Sequence, residues 1–227
     1  ISATPNNEVV RKLLTYLMET TQVQPGMWQS VLPDTNFHPH APWWHWHEDV
    51  QQSWMFNPSV ELAACLIFWS TPGSAEANLG WISLEYAVRR LMNATTVERH
   101  ELSNYRNALS LLSGQQESFV ENVKYSMGEV SQKVQQFTID VIDKDVDNWD
   151  QGYKPLPLDF IKSTHDPLHL KLETLVKQNL KFYLDTRNDD GIWEISWNWE
   201  QYPEDFAIAR RYWQGIVAVE RSRILAT

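Results

Sequence analysis

The sequence predicts an all-α protein built from antiparallel helical hairpins, and three observations support this fold class. Apolar residues recur at steps of three and four along most of the chain, which places them on one face of a helix. No segment alternates apolar and polar residues for long enough to indicate a β-sheet. Turn signals such as Ser113-Gly114 separate the periodic segments. A length of 227 residues suits one large domain or two small ones, and we take residues 1–227 as a single domain.

The first three predicted helices differ in how much of their surface is apolar. Glu8–Met18 carries one apolar stripe, which is typical of a helix packed on one side. Ser59–Trp69 is apolar on nearly every side and follows Pro58, a residue favoured in a first helical turn. We therefore expect that helix to be buried all round. Glu76–Met92 again has one apolar stripe, with two arginines outside it.

Four further helices are predicted in the rest of the chain. The first of these helices is marked by apolar residues at positions 102, 105, 109 and 112, and the second is Glu117–Phe137. Because a turn signal separates the two helices, we expect them to form an antiparallel hairpin. Leu168–Leu184 follows. The last helix, Glu204–Leu225, has acidic residues in its first turn and arginines near its end, which suits the helix dipole.

Three long loops separate these helices, and long loops within a compact domain often carry function. They span Gln24–Asn57, Thr138–Pro167 and Thr186–Pro203. Tryptophan is usually among the rarest residues, but this chain has 12. The first and third loops hold Trp28, Trp43, Trp44, Trp46, Trp54, Trp193, Trp197 and Trp199.

One pattern, a helix followed by a Gly-x-Trp turn and an aromatic loop, occurs twice. Gly26 precedes Trp28 in the first copy, and Gly191 precedes Trp193 in the second. We expect both glycines to adopt positive φ and both tryptophans to fold back between adjacent hairpins. A repeated unit of this kind predicts stacked helical hairpins.

The second copy carries a resemblance to a known superfamily. Asp189–Trp193, which reads Asp-Asp-Gly-Ile-Trp, resembles the acidic-Gly-x-Trp turn of the terpenoid cyclases and protein prenyltransferases. Pro25–Trp28 resembles a degenerate copy without the acidic pair. The layout is most similar to short bacterial prenyltransferase-like proteins. The resemblance implies an α/α toroid that binds a hydrophobic or isoprenoid small molecule in an aromatic central cavity.

The number of predicted helices bears on whether the ring is complete. Seven is odd for a ring of hairpins, and the sequence starts at Ile1 without a Met. We therefore expect a toroid that is incomplete at its N-terminus, in a fragment or processed form of a longer chain. An open ring exposes apolar flanks, which would favour association.

Charge and cysteine content exclude several classes of function. A net charge of -10 offers no basic stripe for nucleic acid. The single Cys65 excludes a disulfide framework and a thiolate zinc cluster, and we expect a core thiol. The most apolar run, Leu62–Trp69, is shorter than the ~20 residues of a membrane span. Ile1–Pro5 lacks the features of a signal peptide, so a cytoplasmic location is expected.

The densest set of chemical groups lies in the first loop, as His38, His40, His45, His47, Glu48 and Asp49. We take Glu48, Asp49, His45 and His47 as catalytic candidates. A carboxyl group among aromatic rings gains a raised pKa and can act as a general acid, and imidazole transfers protons near neutrality. The four histidines are weak metal candidates, no metal is predicted, and no cofactor is required. Alternatively, these histidines hydrogen-bond backbone inside an aromatic layer.

Six tryptophans are candidate ligand-binding residues, namely Trp43, Trp44, Trp46, Trp54, Trp197 and Trp199. Their rings would stabilise a carbocation by cation–π contact or stack on a sugar. The alternative is structural, because tryptophan buries a large area and needs only one hydrogen-bond partner.

The Asp-x-Asp-Asp acid motif of the resembled superfamily is not present. The nearest run, Asp143–Asp147, is expected to be solvated or to bind a cation through oxygen ligands. Arg89-Arg90 and Arg210-Arg211 would either bind a diphosphate or form salt bridges on solvated helix faces.

Two other functions stay open. A carbohydrate-active enzyme, a glycoside hydrolase or lyase, would flank a glycosidic bond with one carboxyl group from each of two loops. Those groups would be Glu48 or Asp49 together with Glu194 or Glu200. A non-catalytic interaction domain would keep the fold without the site.

Overall fold

The computed structural model describes residues 7–20 and 22–226, and most of these residues are helical. The all-α fold class is therefore confirmed. The described helices are α1 Glu8–Glu19, α2 Val50–Trp54, α3 Ser59–Trp69, α4 Ala75–Asn93, α5 Arg99–Leu111, α6 Gln116–Val123, α7 Met127–Val141, α8 Pro157–Phe160, α9 Glu173–Asp185 and α10 Pro203–Leu225. Two short strands, β1 Gln22–Gln24 and β2 Met27–Trp28, pair antiparallel.

Helix boundaries agree with the sequence prediction where a cap or a proline marks them. Ser59–Trp69 is α3 without any change, and Glu204–Leu225 gains only Pro203 at its start. Ser74 caps α4, because its side chain accepts a hydrogen bond from Ala77 N at 3.2 Å. The prediction Leu168–Leu184 starts too early, because the chain turns before α9 begins at Glu173.

The predicted helix Glu117–Phe137 is wrong as a single element. The chain breaks at Lys124, which adopts φ 67°, and divides into α6 and α7. The cause is a capping box, since Ser126 N donates to Glu129 Oε2 at 2.8 Å and Glu129 N donates to Ser126 Oγ at 3.2 Å. These two bonds satisfy backbone donors at the start of a new helix.

Two of the predicted loops contain regular structure. The first, Gln24–Asn57, holds part of the β-hairpin and the short helix α2. The second, Thr138–Pro167, loses its first residues to α7 and contains α8. The prediction of no sheet is therefore wrong at one place, where Pro25-Gly26 turns the chain between two strands too short to show alternation.

The chain forms two compact units, one of residues 1–32 and 48–139, the other of residues 33–47 and 140–227. In the first unit, α3 packs against α4 and α5, and α6 packs on α4. The predicted hairpin of α5 with α6 is not among the main packing pairs, because α5 packs chiefly on α3 and α6 on α4. Gly80 permits the close crossing of α3 and α4, because a Cβ there would lie 2.8 Å from Ala63 O.

The second unit is organised around α8 and α9, which pack together. Asn179 in α9 accepts a hydrogen bond from Leu158 N in α8 at 2.9 Å, and both residues are buried. Trp193 is 1 % exposed and fills the core of this unit. In contrast, α10 has no fully buried residue in its 23-residue length. In the part of the chain that the structure describes, no helix has both the length and the apolar character needed to cross a membrane.

Candidate functional site

The two Gly-x-Trp turns place their tryptophans at equivalent positions on two helices. Trp28 Nε1 donates to the carbonyl oxygen of Leu17 at 2.9 Å, and Trp193 Nε1 donates to that of Tyr183 at 2.7 Å. Leu17 and Tyr183 each lie two residues before the end of their helix, α1 and α9. Each indole therefore satisfies a carbonyl that the helix end leaves unpaired.

The helix ends themselves are also equivalent. Thr20 Oγ1 donates to Tyr16 O at 2.6 Å, and Thr186 Oγ1 donates to Phe182 O at 2.6 Å. The glycines adopt the predicted positive φ, 77° at Gly26 and 78° at Gly191. The repeat thus includes an acidic residue and a threonine at the helix end. Both Glu19-Thr20 and Asp185-Thr186 were visible in the sequence but were missed.

Trp28 and Trp193 fold back onto the preceding helix and are buried, as predicted; their place between adjacent hairpins stays a prediction. The two side chains are 3 % and 1 % exposed. In the first unit, Ser59 Oγ also accepts a hydrogen bond from Trp28 N at 3.0 Å, which fixes the turn against α3. Neither indole is available to a ligand.

Two of the candidate histidines form a pair in the second unit. His40 is 4 % exposed, and its Nδ1 lies 2.6 Å from the carbonyl oxygen of His38. Its Nε2 lies 3.1 Å from His45 Nδ1, and the two rings stack with centroids 5.4 Å apart. The ring of Tyr202 packs on His40 at 5.5 Å, so the first and third predicted loops meet here.

The contacts of His40 determine where the protons lie in the neutral pair. A carbonyl oxygen only accepts, so His40 Nδ1 must donate to His38 O. Neutral His40 then accepts at Nε2, and His45 Nδ1 donates to it. This network assigns the lone pair of His45 to Nε2. Because His45 is exposed, that nitrogen can reach a bound molecule.

Asn36 holds the backbone next to this pair. Its side-chain nitrogen donates to Trp46 O at 3.0 Å, and its side-chain oxygen accepts from Trp46 N at 2.8 Å. The chain between them makes a short 3-10 turn over Pro42–Trp44, which presents Trp43 with 45 % of its surface exposed. The histidine pair therefore lies on an ordered loop beside an accessible indole.

The other catalytic candidates have different surroundings. His47, Glu48 and Asp49 are all exposed, and Asp49 accepts a hydrogen bond from Gln52 Nε2 at 2.9 Å. Glu48 and Asp49 belong to the first unit, whereas His45 and His47 belong to the second. The expected apolar surroundings of a general acid are missing at both carboxylates, because solvent reaches them.

The metal candidates do not converge. His38 and His47 are exposed, and only His40 and His45 lie together. Within residues 7–20 and 22–226, no group of three histidine, cysteine or carboxylate side chains is placed to hold a metal ion.

The candidate tryptophans of the third loop pack on their own unit. Trp197 contacts Tyr153 at 5.0 Å and Trp213 at 5.5 Å, and Trp199 contacts Phe206 at 5.8 Å. All four of Trp44, Trp46, Trp197 and Trp199 are half-buried, as is Trp54 in the first unit. These rings stabilise the fold and keep part of their surface open.

A buried carboxyl group in the first unit was missed. Glu101 is 0 % exposed, and its Oε1 lies 3.1 Å from Arg90 and 3.4 Å from Phe56 N. Its Oε2 has no hydrogen-bond partner among the described residues. Burial raises the pKa of Glu101 to about 7, against the opposing effect of Arg90. Glu101, Tyr105 and Ala108 share one helix face at steps of four and three, which was the available signal.

The remaining charged candidates are used in local contacts. The hydrogen bond from Lys154 Nζ, 2.9 Å from Asp143, lowers the pKa of that carboxyl group. Arg210 and Gln214 both donate to Glu194. Glu200 is exposed. Burial raises the pKa of the Cys65 thiol to about 11, so it stays protonated at neutral pH and is a poor nucleophile.

Comparison of this chain with protein-family models, with curated proteins and with solved structures finds no match to any of them.

Proposed function

We propose that this protein binds a hydrophobic small molecule of the isoprenoid class on the second unit, and that His45 transfers a proton to or from it. The observation that carries the proposal is the pairing of exposed His45 with buried His40, whose other nitrogen is held by His38 O. The resembled superfamily supplies the ligand class. We also propose that the helical units belong to an α/α toroid of that superfamily.

The histidine pair is suited to accept a proton from a bound molecule. His45 Nε2 takes the proton, and the proton on His45 Nδ1 can then move to His40 Nε2. The positive charge passes to the buried ring, where His38 O accepts the Nδ1 hydrogen and the Tyr202 ring lies beside it. The pair thus offers a second ring to share the transferred charge.

Accessible aromatic surface beside the pair supports an apolar ligand. Trp43 is 45 % exposed and lies two residues before His45. Trp46 follows His45 in the chain. Its backbone N–H and carbonyl oxygen are both hydrogen-bonded to the side chain of Asn36, which fixes its position. Rigid indole faces next to a base suit an isoprenoid chain that carries partial positive charge during reaction.

The two matching helix-end units support the toroid. Each of these helix ends combines a threonine cap, a glycine at positive φ and a tryptophan whose indole is hydrogen-bonded to the helix end. A repeat maintained in two hydrogen bonds and one backbone conformation is typical of architectures built from stacked hairpins.

Thermal unfolding with defined ligands tests the binding proposal. We expect farnesyl diphosphate or farnesol to raise the melting temperature, since a ligand at 100 times its Kd adds about 2.7 kcal/mol of stability. Trp43→Ala should remove most of this shift, and Trp54→Ala, in the first unit, should leave it intact. A shift with xylohexaose alone would favour the carbohydrate-active enzyme, and no shift with any probe would favour the interaction domain.

Proton transfer is tested separately. Farnesyl diphosphate is incubated with the protein in heavy water, and deuterium in the recovered isoprenoid is measured by mass spectrometry. We expect His45→Gln to lower incorporation about 100-fold while leaving the melting shift unchanged. His38→Gln is the control, because only the backbone of His38 contacts the pair. Equal incorporation by both variants would contradict the role of His45.

A further inference from the structure

The last helix carries an apolar stripe that none of the described residues 7–20 and 22–226 covers. Ile208 is 61 % exposed, Tyr212 72 %, Ile216 45 % and Val219 60 %. At about 100° per residue, these four side chains lie within one quarter of the helix circumference. A continuous exposed stripe of this size is typical of a protein interaction surface rather than of solvated helix.

The opposite face of α10 makes the contacts that hold it to the second unit. Phe206 packs on Trp199, and Trp213 packs on Trp197. Arg221 lies 4.2 Å above the Tyr183 ring. These residues project from the side of the helix that faces away from Tyr212. The exposed stripe is therefore a second face, separate from the one that the fold uses.

Charges and a glycine complete the stripe. Asp205 precedes it and Arg223 follows it, and both are exposed on the same side of the helix as Tyr212. They are 18 positions apart, a distance of about 27 Å along the axis. Gly215 lies near the middle, where an added Cβ would meet nothing within 4 Å. The stripe thus has an acidic end, a basic end and a flat centre.

We infer that a second copy of this chain covers the stripe, with the two α10 helices antiparallel. In one register, Tyr212 lies at the level of Ile216 of the second copy, and Asp205 at the level of Arg223. Ile208 then lies within one residue of the level of Val219. Tyr212 and Ile216 meet as apolar residues and Asp205 meets Arg223, so these positions are complementary to themselves, as a two-fold interface requires.

A further exposed apolar helix face, on α1, does not have this arrangement. Val9, Leu13 and Tyr16 are 64 %, 55 % and 59 % exposed on α1. The neighbouring charges there are satisfied within the helix, because Lys12 pairs with Glu8 at 2.8 Å. We therefore place the interface on α10, where the charges are complementary, and use α1 as the matched control.

Sedimentation velocity of the protein over a range of concentrations tests this inference. We expect a monomer–dimer equilibrium whose dissociation constant rises about 100-fold or more in Tyr212→Asp, because each dimer loses the side chain twice. Tyr16→Asp should leave it unchanged. Circular dichroism of each variant checks that the helices remain folded.

A charge exchange tests the antiparallel register. Asp205→Arg and Arg223→Asp should each weaken the dimer, and the double variant should restore it, because every ion pair is re-formed with its sign reversed. A monomer at all concentrations would overturn the inference. A dimer weakened by Tyr16→Asp and not by Tyr212→Asp would also overturn it, and so would a double variant weaker than both single variants.

Discussion

Trp193 and Tyr183 are joined by an indole-to-carbonyl hydrogen bond of 2.7 Å inside the second unit, and Trp28 and Leu17 repeat it in the first at 2.9 Å. Each bond connects the third residue of a Gly-x-Trp turn to the last turn of the preceding helix. The turn and the helix therefore depend on each other. This dependence gives a direct test of the repeat.

Replacing either tryptophan by phenylalanine should destabilise its unit. Trp193→Phe and Trp28→Phe each lose the indole N–H, leave a buried carbonyl unpaired and lose packing area, at a cost of about 2–4 kcal/mol. Urea unfolding followed by circular dichroism measures the free energy. Trp43→Phe is the control, because Trp43 is 45 % exposed and should change stability by less than about 0.5 kcal/mol. Equal effects at all three positions would contradict the plugging role.

Gly26→Ala should cost more than Gly73→Ala. Both glycines have positive φ, 77° and 81°, so both alanines carry the left-handed strain of about 1–2 kcal/mol. At Gly26 a Cβ would also clash with the Cβ of Ser83, whereas at Gly73 it would meet nothing within 4 Å. We expect the Gly26 variant to lose at least about 1 kcal/mol more in urea unfolding. Similar losses would show that the hairpin moves away from α4 freely.

Glu101 should make stability fall as pH rises. Its pKa is 4.5 in the unfolded chain and about 7 in the folded one, because burial penalises the charge. The folded state binds more protons between these values, so the contribution is complete below pH 4.5 and is lost as pH rises through about 7. The loss is on the order of 3 kcal/mol.

Glu101→Gln isolates this effect from other titrating groups. We expect the free energy of unfolding of the variant, relative to the natural sequence, to increase between pH 5 and pH 8. Urea unfolding at each pH gives the difference. Glu129→Gln serves as the control, since a hydrogen bond from Ser126 lowers the pKa of Glu129 and its stabilising effect is lost only as pH falls. A constant difference for Glu101→Gln would contradict the assignment.

The sequence predicted those features that depend on local signals. The boundaries of α3 and α10 followed from Pro58 and Pro203 beside long apolar patterns, and the positive φ of Gly26 and Gly191 followed from the repeat. The break at Lys124 was missed because apolar residues keep helical spacing through it. Only the Ser126–Glu129 capping box reveals the new helix start.

Features that depend on long-range contacts were harder to predict. The ring contact between His40 and Tyr202 joins residues that are far apart in the chain, and no spacing rule predicts this contact. Equally, nothing local separates buried His40 from exposed His38, although both occur in one His-x-His pattern. The spacing of Glu101 with Tyr105 and Ala108 places it on an apolar helix face, but its full burial depends on the packing of α5 against α3.

The proton positions in the histidine pair can be measured directly. We expect neutral His45 to carry its hydrogen on Nδ1, because Nδ1 donates to His40 Nε2 at 3.1 Å. Imidazole nitrogen shifts in NMR spectra distinguish the two tautomers of each ring. His40→Phe keeps an aromatic ring beside Tyr202 and removes the acceptor, so His45 should revert to the Nε2–H form that predominates in water. In His38→Gln the His45 tautomer should not change, since the backbone carbonyl remains. An Nε2–H tautomer in the natural sequence would contradict the relay and leave His45 without a free lone pair facing the ligand.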